Sequence, residues 1–520
     1  MEKWQKNLKI WQEKPFIKQL KNQLPQAEVF LVGGAVRDAI LNRPTKDFDF
    51  VVRNVSKNDL EKFLTTQGKV SLVGKRFGVF KFRPRGWQGE EIDIALPRTE
   101  HSLNFSGAYK DFKIQSNAKL KIEDDLSRRD FTINAMAFEI TRNYELRTGN
   151  KKVQSSKFKV QSQLVDPFHG LADLKHGIIR AVGKPELRFK EDYSRILRAI
   201  RFACQLNFTI EPKTWRAIKL EIKNLNKTIK GERVVPYEVI AKELIKALAK
   251  NPIWAIELLD QAGAIKVLTP ELLKMKGCPQ PKNFHSEGDC WQHTILSIKK
   301  LEGKEFKKEF KNPPLTPELI WGLLFHDLGK PYTIVKADRL RFNNHDTVSA
   351  RKFKEIAEKL KLSSAGLDIE IVEKIIAKHM LPTHSKTSVM KDTTIEKYFF
   401  NPNFPGTELM MLIFADISAT VPQSGKPDFT EYNVLKKRIN KLRAKSKNKK
   451  ELPKPLVTGA DLIKELKLTP GPKFGTLLSL AREAQLKGKV KTKKQGLNYL
   501  KKFIKKEVLV KAKTTHQGTK

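Results

Sequence analysis

The spacing of apolar residues changes along the chain at about residue 170. Between residues 26 and 140, short runs rich in β-branched and aromatic residues alternate with helical stretches and glycine turns. This pattern is typical of mixed α/β structure, and the predicted strands are Val29–Val32, Phe48–Val52, Gly78–Phe82 and Glu91–Leu96. Beyond residue 170 apolar residues recur three and four positions apart, which predicts helices, for example at Leu244, Ile245 and Leu248 and at Ile371, Ile375 and Ile376.

Two polar, basic stretches interrupt this pattern. Residues 152–155 and 159–162 repeat the sequence KVQS with a seven-residue period, which favours a low-complexity insertion in a surface loop over a functional element. The run Lys436–Lys450 has nine basic residues and no acidic one, which predicts a linker or an exposed helix. Both stretches are therefore candidate boundaries.

The charge of the chain predicts a polyanionic partner. Among 520 residues, 100 Lys and Arg face 57 Asp and Glu, a formal net charge of +43. Such an excess favours nucleic acid or an anionic membrane surface. Apolar runs such as Leu319–Phe325 are far shorter than the roughly 20 residues that span a bilayer, and Met1–Leu20 lacks the apolar region of a targeting segment. We therefore expect nucleic acid and no membrane.

Cysteine usage indicates a reducing compartment. The three cysteines, Cys204, Cys278 and Cys290, show no metal-ligand spacing. A disulfide framework and a zinc ribbon are both disfavoured. We expect a cytoplasmic protein with a core of ordinary size, because 40% of its residues are hydrophobic.

The first candidate chemistry lies near the start of the α/β region. In Leu31–Asp38 a strand leads through Gly33 and Gly34 into a helix that contains Arg37. Two glycines let backbone approach a ligand, and free N–H groups at a helix start suit a phosphate. These three residues are candidate nucleotide-binding residues.

Three acids on predicted strands form a candidate metal site. Asp47 and Asp49 are two apart, so they share one face of a strand. Paired carboxylates of this kind suit Mg²⁺ that bridges to substrate phosphates. Asp93, within Glu91–Leu96, would complete a two-metal catalytic set, although ordinary strand polarity is an alternative explanation for it.

Two further segments carry arginine beside acid. Arg128 and Arg129 are placed to clamp a triphosphate, while Asp130 and Asn134 lie four apart on one predicted helical face. Later, Glu191 precedes a second helical segment on which three polar residues share a face. An Asp beside an Arg can read a base edge, and a surface salt bridge is the alternative; these three residues are Asp192, Arg195 and Arg198.

Together these segments resemble the class II tRNA nucleotidyltransferases, which include the bacterial CCA-adding enzymes and their poly(A) polymerase relatives. The matching pieces occur in family order over about the first 200 residues: Leu31–Asp38, Asp47–Asp49, Arg128–Ala135, Asp166–Leu174 and Glu191–Phe202. The resemblance implies that Asp47 and Asp49 hold catalytic Mg²⁺. It also implies a triphosphate- and ribose-binding group, Arg128, Arg129 and Asp130, and an amino-acid template for CTP and ATP, Glu191, Asp192 and Arg195.

Two features bear on the branch of that family. The segment Gly74–Gly78 reads GKRFG, where poly(A) polymerases tend to carry an Arg-Arg-Phe-Arg type sequence, so it resembles the CCA-adding branch. The tail Lys487–Lys520, with twelve lysines and one acid, points the other way. Enzymes that add only CC or only A share the same motifs.

A second constellation lies in the helical half. Its members are His293, His326, Asp327, His345, His379 and Asp416, and the segment that contains His326 and Asp327 is predicted to be a helix. Imidazole and carboxylate together suit a borderline divalent metal that activates water for phosphoester hydrolysis. The arrangement resembles the HD phosphohydrolase superfamily over about residues 285–425, where His293, His326, Asp327 and Asp416 match the four-ligand core. His345 and His379 match the extra histidines of two-metal members, and His285 either belongs to the site or flanks it.

The predicted fold is an α/β nucleotidyltransferase head, with a mixed sheet and helices, followed by an all-α body, an HD domain and a helical tail. The predicted division is head 1–140, insertion 141–163, neck and RNA-binding body 164–280, HD domain 281–430 and basic tail 431–520. The predicted function is CCA addition to tRNA from CTP and ATP, with Mg²⁺ in the head and a second divalent transition metal in the HD site.

Three alternatives stay open. The same chemistry fits a poly(A) polymerase or an enzyme that adds only CC or only A. From another class, the chain could be an HD phosphohydrolase whose head only grips RNA. A non-catalytic RNA-binding protein is disfavoured by the intact carboxylate pair Asp47 and Asp49.

Overall fold

The computed structural model describes residues 3–73, 79–102, 107, 112–141, 163–384, 387–444 and 452–515. The repeat at 152–162, the segment Gly74–Gly78 and residues 445–450 of the basic run lie outside these residues. The chain divides into two compact units, Met1–Pro270 and Glu271–Lys520. The finer five-part division stays a prediction.

The first unit begins with a mixed sheet. Its strands, in chain order, are β1 (Glu28–Val32), β2 (Asp49–Arg53), β3 (Gly68–Val73), β4 (Val79–Pro84), β5 (Ile92–Ala95), β6 (Arg98–Ser102), β7 (Phe112–Ser116), β8 (Ala137–Glu139) and β9 (Leu164–Val165). The sheet order is β3-β4-β5-β2-β1-β8-β9, and β6 pairs only with β7 among the described strands. Strands β2 and β5 run parallel, whereas β1 is antiparallel to both of its neighbours.

Helices cover this sheet. They are α1 (Lys3–Lys9), α2 (Pro15–Gln23), α3 (Gly34–Ile40), α4 (Lys57–Gln67) and α5 (Ile122–Ser127). Alternate residues of β4 and β5 are buried, as the period of two predicts. On one side of the core, Trp11 packs edge-on against Phe48 and Phe50. The predicted mixed α/β head is confirmed.

The rest of the first unit is helical. It contains α6 (Gly170–His176), α7 (Pro185–Glu191), α8 (Ser194–Leu206), α9 (Pro212–Glu221), α10 (Tyr237–Leu248), α11 (Pro252–Gln261) and α12 (Ala264–Leu268), with two-residue strands β10 (Ile178–Ile179), β11 (Thr209–Ile210), β12 (Thr228–Ile229) and β13 (Glu232–Arg233). Helix α8 packs extensively against α10. Leu244, Ile245 and Leu248 are buried, as their helical spacing predicts.

The second unit is almost entirely helical in its described residues. Its helices are α13 (Cys290–Lys300), α14 (Lys304–Phe310), α15 (Pro317–Phe325), α16 (Lys330–Thr333), α17 (His345–Lys359), α18 (Ile369–Ile376), α19 (Leu381–His384), α20 (Asp392–Phe399), α21 (Gly406–Ala419), α22 (Thr430–Arg443), α23 (Gly459–Leu466), α24 (Pro472–Leu486) and α25 (Lys493–Thr515), and a hairpin joins β14 (Ile334–Lys336) to β15 (Leu340–Phe342). The helical second half is thus confirmed.

The C-terminal helices have a core of their own. Leu462, Leu477, Ala481, Leu497 and Leu500 form one buried cluster that joins α23, α24 and α25. The basic run that the sequence predicts as a linker or exposed helix begins as the last eight residues of α22. Among the described helices, none is both long enough and apolar enough to cross a lipid bilayer.

Candidate active sites

A cavity of about 660 Å³ opens in the first unit beside β2 and β5. Almost every residue that the sequence analysis selected in this unit lines it: Gly34, Arg37, Asp47, Asp49, Asp93, Arg128, Arg129, Asp130, Asn134, Asp192, Arg195 and Arg198. The two selected residues that do not line it are Gly33 and Glu191, and both contact residues that do. The part of the lining that contains Asp47, Asp49 and Asp93 is called the acidic wall below, and the part that contains the arginines is called the basic wall.

The acidic wall is built by two neighbouring strands. Asp49 on β2 lies directly opposite Asp93 on the parallel strand β5. Strand β2 begins at Asp49, so the expectation that Asp47 shares a strand with it is wrong: Asp47 belongs to the preceding loop and still lines the cavity. Burial raises the pKa of Asp49; Arg129 opposes that shift, and the charges of Asp93 and Asp47 add to it.

The acidic wall has the chemistry of a site for a hard cation. The Oδ1 atom of Asp93 is buried without a hydrogen-bond partner, and it lies 3.6 Å from Nζ of Lys81. In the described part of the chain, three candidate ligand atoms within 4.8 Å of one another occur only in the second unit. The described head carboxylates form no such group by themselves, and Mg²⁺ takes part of its oxygen ligands from substrate phosphates.

A buried carboxylate that the sequence analysis missed positions the two arginines of the basic wall. Asp125 on α5 is completely buried. Its Oδ1 accepts from Nη2 of Arg128 at 2.7 Å and its Oδ2 from Nη2 of Arg129 at 3.4 Å. Burial acts to raise the pKa of Asp125, but these two guanidinium groups lower it overall. Its i,i+3 and i,i+4 spacing to the arginines is the sequence signal that could have found it.

The absence of a side chain at Gly33 leaves space for the guanidinium group of Arg129. Gly33 has a φ of +70°, and a Cβ there would lie 2.5 Å from Nη1 of Arg129. Nearby, Arg37 donates from Nη1 to Oδ1 of Asn134 at 2.7 Å and from Nε to Asp38 at 2.9 Å. The glycine turn therefore makes room for an arginine in this structure, whereas the sequence suggested room for a ligand.

Asp130 and Arg198 form the central ion pair of the basic wall. Arg198 donates to Oδ2 of Asp130 from Nη2 at 2.7 Å and from Nε at 2.9 Å, and Asn134 donates to Oδ1 at 3.1 Å. Asp130 and Asn134 do meet, but through a 3₁₀ turn over Thr132–Asn134 and not on an α-helical face, so that expectation is corrected. Burial opposes the charge of Asp130, and Arg198 with Asn134 still lowers its pKa to about 2.

A break between two helices separates the predicted base-reading residues. Helix α7 ends at Glu191 and α8 begins at Ser194, so Asp192 lies in the break and does not share a helical face with Arg195 and Arg198 as predicted. Oδ1 of Asp192 accepts from the backbone N–H of Ser194 at 2.9 Å. This local bond from the Asp192 side chain to the backbone two residues later competes with continuous helix.

Arg195 is held in place by Glu191. Its Nη1 donates to Oε2 of Glu191 at 2.6 Å and to the carbonyl of Arg188 at 3.1 Å, and its Nη2 donates to the carbonyl of Arg128 at 3.3 Å. These bonds use three of the five guanidinium N–H groups. Glu191 therefore acts on the cavity through Arg195.

Two more residues of the basic wall were missed by the sequence analysis. Phe202 lies under three guanidinium groups, with Arg201 at 4.1 Å, Arg37 at 5.1 Å and Arg198 at 5.5 Å from its ring centroid. Lys246 on α10 also lines the cavity, and burial lowers its pKa together with the charges of Lys242 and Arg201. Lys246 is distant in sequence from the motifs, so no local pattern pointed to it.

The six polar residues of the second constellation meet in the second unit. His293 lies on α13, His345 begins α17 and Asp416 lies on α21. His326 and Asp327 were expected within a helix, but α15 ends at Phe325 and the pair lies in the following turn. His379 lies in the turn after α18. The turns allow both neighbours, His326 and Asp327, to face the same centre.

Short distances between ligand atoms define this centre. Nε2 of His293 is 2.8 Å, and Nε2 of His326 is 3.4 Å, from Oδ1 of Asp416. Oδ1 of Asp327 is 3.3 Å from Nε2 of His345 and 3.9 Å from Nε2 of His379. Two ligand groups lie at this centre, His293 with His326 and Asp416, and Asp327 with His345 and His379, and a third, His285 with Glu287 and His293, adjoins them.

Contacts at Nδ1, the nitrogen that faces away from the centre, orient the imidazoles. Three of them use Nδ1 to bond a backbone carbonyl three residues earlier: His326 to Leu323 at 2.7 Å, His345 to Phe342 at 2.8 Å and His379 to Ile376 at 2.7 Å. Nδ1 of His293 lies 2.7 Å from Oε1 of Glu287. With Nδ1 protonated, Nε2 of His326, His345 and His379 presents its lone pair to the centre, which is the usual orientation of metal-ligating histidine. Against the effect of burial, Asp416 and Glu287 raise the pKa of His293 to about 9, so His293 would release a proton on binding metal.

The centre fits divalent metal. Nε2 of His326 is buried and forms no hydrogen bond, and imidazole with carboxylate suits zinc, iron, manganese or a similar ion. Burial works against charge on Asp416, yet His293 and His326 hold its pKa well below its usual range. Burial and the neighbouring His345 and His326 lower the pKa of His379 to about 3, so it is neutral and able to ligate.

The sequence analysis missed two residues that contact this centre, Lys330 and Glu287, and left the position of His285 open. Lys330 is buried, and its Nζ lies 2.6 Å from Oδ2 of Asp327 and donates to Gln280 at 2.7 Å. Glu287 joins His293 to His285, whose Nδ1 lies 2.6 Å from the same Oε1 atom. His285 therefore flanks the ligand groups through Glu287. No pattern of hydrophobic and polar residues in the sequence distinguishes the buried Lys330 from a surface lysine.

Family models match successive parts of the chain. "Poly A polymerase head domain" matches residues 29–180 and "HD domain" matches residues 299–407. Between them, "Probable RNA and SrmB- binding site of polymerase A" matches residues 207–275. The HD match stops short of His293 and Asp416 at either end, which the structure nevertheless brings to the same centre.

A curated relative decides the family. The multifunctional CCA protein of Actinobacillus pleuropneumoniae serotype 5b is 30% identical over 377 residues, which cover 71% of this chain and 79% of the relative. The chain belongs to the multifunctional CCA protein family. Its membership confirms the predicted resemblance to class II enzymes with an HD domain. Another member, from Mannheimia succiniciproducens, is 35% identical over 59% of this chain and 64% of its own length.

Solved structures of CCA-adding enzymes share the fold of this family member. The Bacillus stearothermophilus enzyme in complex with CTP matches with a TM-score of 0.59 and 21% identity over 96% of this chain and 98% of its own. The Thermotoga maritima enzyme complexed with tRNA_CCA matches with a TM-score of 0.57, 21% identity and the same coverages. At this identity the likeness concerns the fold alone.

Proposed function

We propose that this member of the multifunctional CCA protein family adds C, C and A to tRNA 3′ ends from CTP and ATP, with release of pyrophosphate. The observation that carries the proposal is the 660 Å³ cavity, which is lined both by Asp47, Asp49 and Asp93 and by a group of arginines. Family membership supports the same reaction. In it, the 3′ oxygen of the RNA forms a bond to the α-phosphorus of the nucleotide, and the bond to pyrophosphate breaks.

The acidic wall supplies the groups for metal. Asp47, Asp49 and Asp93 would hold Mg²⁺, and bound Mg²⁺ supplies charge neutralisation at the phosphates and a lower pKa for the attacking hydroxyl. On the other wall, Arg128 and Arg129, fixed by Asp125, face the space where a triphosphate would lie. The cavity therefore combines anions that bind metal with cations that bind phosphate.

Base selection is proposed for the α7–α8 break. Asp192 and Arg195 both line the cavity. A carboxylate accepts from the exocyclic amine of cytosine or adenine, and a guanidinium donates to the adjacent ring nitrogen. Because Glu191 and two backbone carbonyls fix Arg195, the pair has a defined geometry without a nucleic-acid template.

Incorporation of single labelled nucleotides tests this function. Purified protein is incubated with Mg²⁺, all four nucleotides, one of them labelled in turn, and tRNA that either lacks its 3′ CCA or ends in CC. We expect two C and then one A, and loss of incorporation in Asp49→Asn; Glu123→Gln, an exposed acid of α5, is the matched control. Long A tracts without C would indicate a poly(A) polymerase, and C without A, or A without C, a partial enzyme.

We further propose that the second centre is a metal-dependent phosphohydrolase that acts on phosphate or cyclic phosphate at RNA ends. Its support is the pair of ligand groups with inward-facing Nε2 atoms. A divalent transition metal bound there would supply activated water. Asp327→Asn should abolish hydrolysis of a 2′,3′-cyclic phosphate while CCA addition continues. If the wild type hydrolysed the cyclic phosphate but incorporated no nucleotide, and Asp49→Asn left hydrolysis unchanged, the chain would be a hydrolase whose head only grips RNA.

The proposed location is the cytoplasm, with tRNA as the macromolecular partner. Cys204, Cys278 and Cys290 are free and buried, which is consistent with a reducing compartment. The large positive charge is consistent with binding to RNA phosphates.

A further inference from the structure

A second cavity in the first unit has no part in the chemistry proposed above. It encloses about 570 Å³ between the N-terminal helices, α3 and the loop that precedes β2. Apolar and aromatic residues make most of its lining, among them Leu8, Trp11, Ala39, Phe48 and Trp87. Lys14 and Arg43 also line it, and the lining residues include no carboxylate.

A lysine side chain lies close to two aromatic rings in this cavity. Trp11 and Trp87 lie 5.7 Å apart between ring centroids with planes tilted by 41°. Nζ of Lys14 lies 5.5 Å from the Trp87 ring and 5.9 Å from the Trp11 ring. Aromatic faces beside a cation are the combination with which proteins bind unpaired nucleotides, because the base stacks on a ring while the cation meets the phosphate.

The cavity adjoins the metal-binding loop. Thr45 lines both this cavity and the catalytic cavity, and its Oγ1 donates to the carbonyl of Asp47 at 3.2 Å. Phe48, which stands between Asp47 and Asp49 in sequence, packs on Trp11 with ring centroids 4.6 Å apart. A group bound in the second cavity would therefore lie one residue layer from the carboxylates.

We propose that this aromatic cavity binds an unpaired base of the RNA substrate next to its reacting 3′ end. The proposal rests on the proposed function, since only an RNA primer brings an unpaired strand to this part of the molecule. The base stacks on Trp87 and the flanking phosphate meets Lys14. Ile10, an exposed apolar residue at 58% exposure, lies in the lining and gives the ribose or base further apolar contact.

Fluorescence of a modified RNA tests the proposal. The probe is a hairpin of acceptor-stem length with one unpaired 3′ nucleotide, 2-aminopurine, and a second, blunt hairpin serves as the reference. We expect the wild type to quench 2-aminopurine and to bind the overhang probe more tightly than the blunt one. Trp87→Ala should abolish the quenching and weaken overhang binding about tenfold, as loss of one stacked base does, with blunt binding unchanged.

Three further variants separate stacking from folding. Trp87→Phe keeps an aromatic face, so it should bind the overhang probe more tightly than Trp87→Ala does. Ala39→Phe fills the cavity and should weaken binding of the overhang probe, although it removes no contact. Lys62→Ala, an exposed lysine on α4, is the control for charge. Equal loss of overhang and blunt binding in Trp87→Ala, or quenching that persists in Ala39→Phe, would overturn the proposal.

The proposal and the proposed function fail in different ways. If wild-type protein adds no nucleotide but still quenches the probe through Trp87, CCA addition is wrong and the binding site stands. If addition proceeds normally in Trp87→Ala with an unchanged KM for tRNA, the cavity does not bind the primer. Displacement of the probe by free CTP or ATP alone would assign the cavity to a nucleotide and not to RNA, and would also overturn it.

Discussion

Asp49 and Asp130 line the same cavity, and their pKa values move in opposite directions. Asp49 is partly buried, and this burial and two neighbouring carboxylates raise its pKa against the pull of Arg129. Asp130 is more deeply buried but bonds to Arg198 and Asn134, so its pKa falls to about 2. Neighbouring charges therefore decide the direction in which each pKa moves. The carboxylates beside Asp49 add to the effect of burial and raise its pKa, whereas the ion pair with Arg198 lowers that of Asp130.

Replacing Asp130 should therefore cost stability that depends on pH. A carboxylate with a folded pKa of about 2 and an unfolded pKa of about 3.9 contributes roughly 2.5 kcal/mol above pH 5, and this contribution is lost as pH falls toward 2. Asp130→Asn should lower the free energy of unfolding by about 2 kcal/mol at pH 7, and by about half as much at pH 3. Urea unfolding at several pH values measures both.

The exposed acid Glu123 supplies the control for that experiment. Glu123→Gln should change the free energy of unfolding by less than about 0.5 kcal/mol at every pH. A difference between wild type and Asp130→Asn that stays constant from pH 7 to pH 3 would contradict the assigned pKa.

At the scale of elements, some of the site was predictable from sequence and some was not. The sequence placed Asp47 and Asp49 in one site, but the strand alternation behind that prediction does not apply to Asp47, which lies in the loop before β2. The partner strand was harder: the pairing of Asp49 with Asp93 depends on β5 lying parallel to β2, and no local pattern reports register between strands. The predicted alternation at Asp93 was therefore compatible with ordinary strand polarity.

Helix boundaries account for most of the corrections. Asp192 and His326 were both assigned to continuous helices, and each lies at or just beyond a helix end. Hydrophobic spacing continues through these breaks, since buried residues follow on both sides. The breaks arise from backbone capping and from the need to aim two neighbouring side chains at one centre, and neither appears in an apolar pattern.

The turn that precedes α13 supplies a residue whose effect should be confined to metal binding. Glu287 contacts Nδ1 of His293 from the side opposite Asp416. A carboxylate in this position orients the ligand and raises its basicity, and its loss typically costs 10- to 100-fold in metal affinity. Glu287→Gln should weaken Mn²⁺ or Zn²⁺ binding by about that factor, as measured by competition with a chelating dye.

The nucleotidyl transfer reaction serves as the internal control for Glu287→Gln. Incorporation of C and A by this variant should equal that of wild type, because Glu287 and the catalytic cavity belong to different units. Exposed Glu355 on α17 offers a matched substitution in the same unit. Equal metal affinity in Glu287→Gln and wild type would show that Glu287 does not position His293.

Across the whole molecule, positive charge is unevenly distributed. The last 34 residues hold twelve lysines and one acid, and the described part of this segment forms α25 and the turn before it. The same helix contributes Leu497 and Leu500 to the C-terminal core. One face of this helix is therefore structural, while the lysines on its exposed face are available to phosphate.

Removing those exposed charges should reduce the salt dependence of RNA binding. Substitution to Gln at five exposed positions, Lys489, Lys491, Lys494, Lys501 and Lys502, removes charge without touching the C-terminal core. Each lysine that contacts a phosphate contributes about 0.9 to the slope of log K against log salt, so the slope for tRNA should become shallower by up to about 4. Filter binding from 50 to 300 mM salt measures it.

Substitution to Arg at the same five positions preserves charge and should preserve the slope. A slope that remains unchanged in the Gln variant would mean that tRNA does not contact this face of the tail. The assignment of the catalytic cavity would stand in that case, because no residue of the cavity is altered.

The partial burial of Asp49, beside Asp93 on the parallel strand, carries a cost to the resting protein. A carboxylate whose pKa is raised by folding is harder to ionise in the folded state, so its charge lowers stability at every pH above that folded pKa. Asp49→Asn should therefore raise the melting temperature in the presence of EDTA while it destroys incorporation, and Mg²⁺ should stabilise only the wild type. The carboxylate that this enzyme needs for activity thus lowers its thermal stability. Selection for heat resistance alone would therefore favour variants that have lost Asp49.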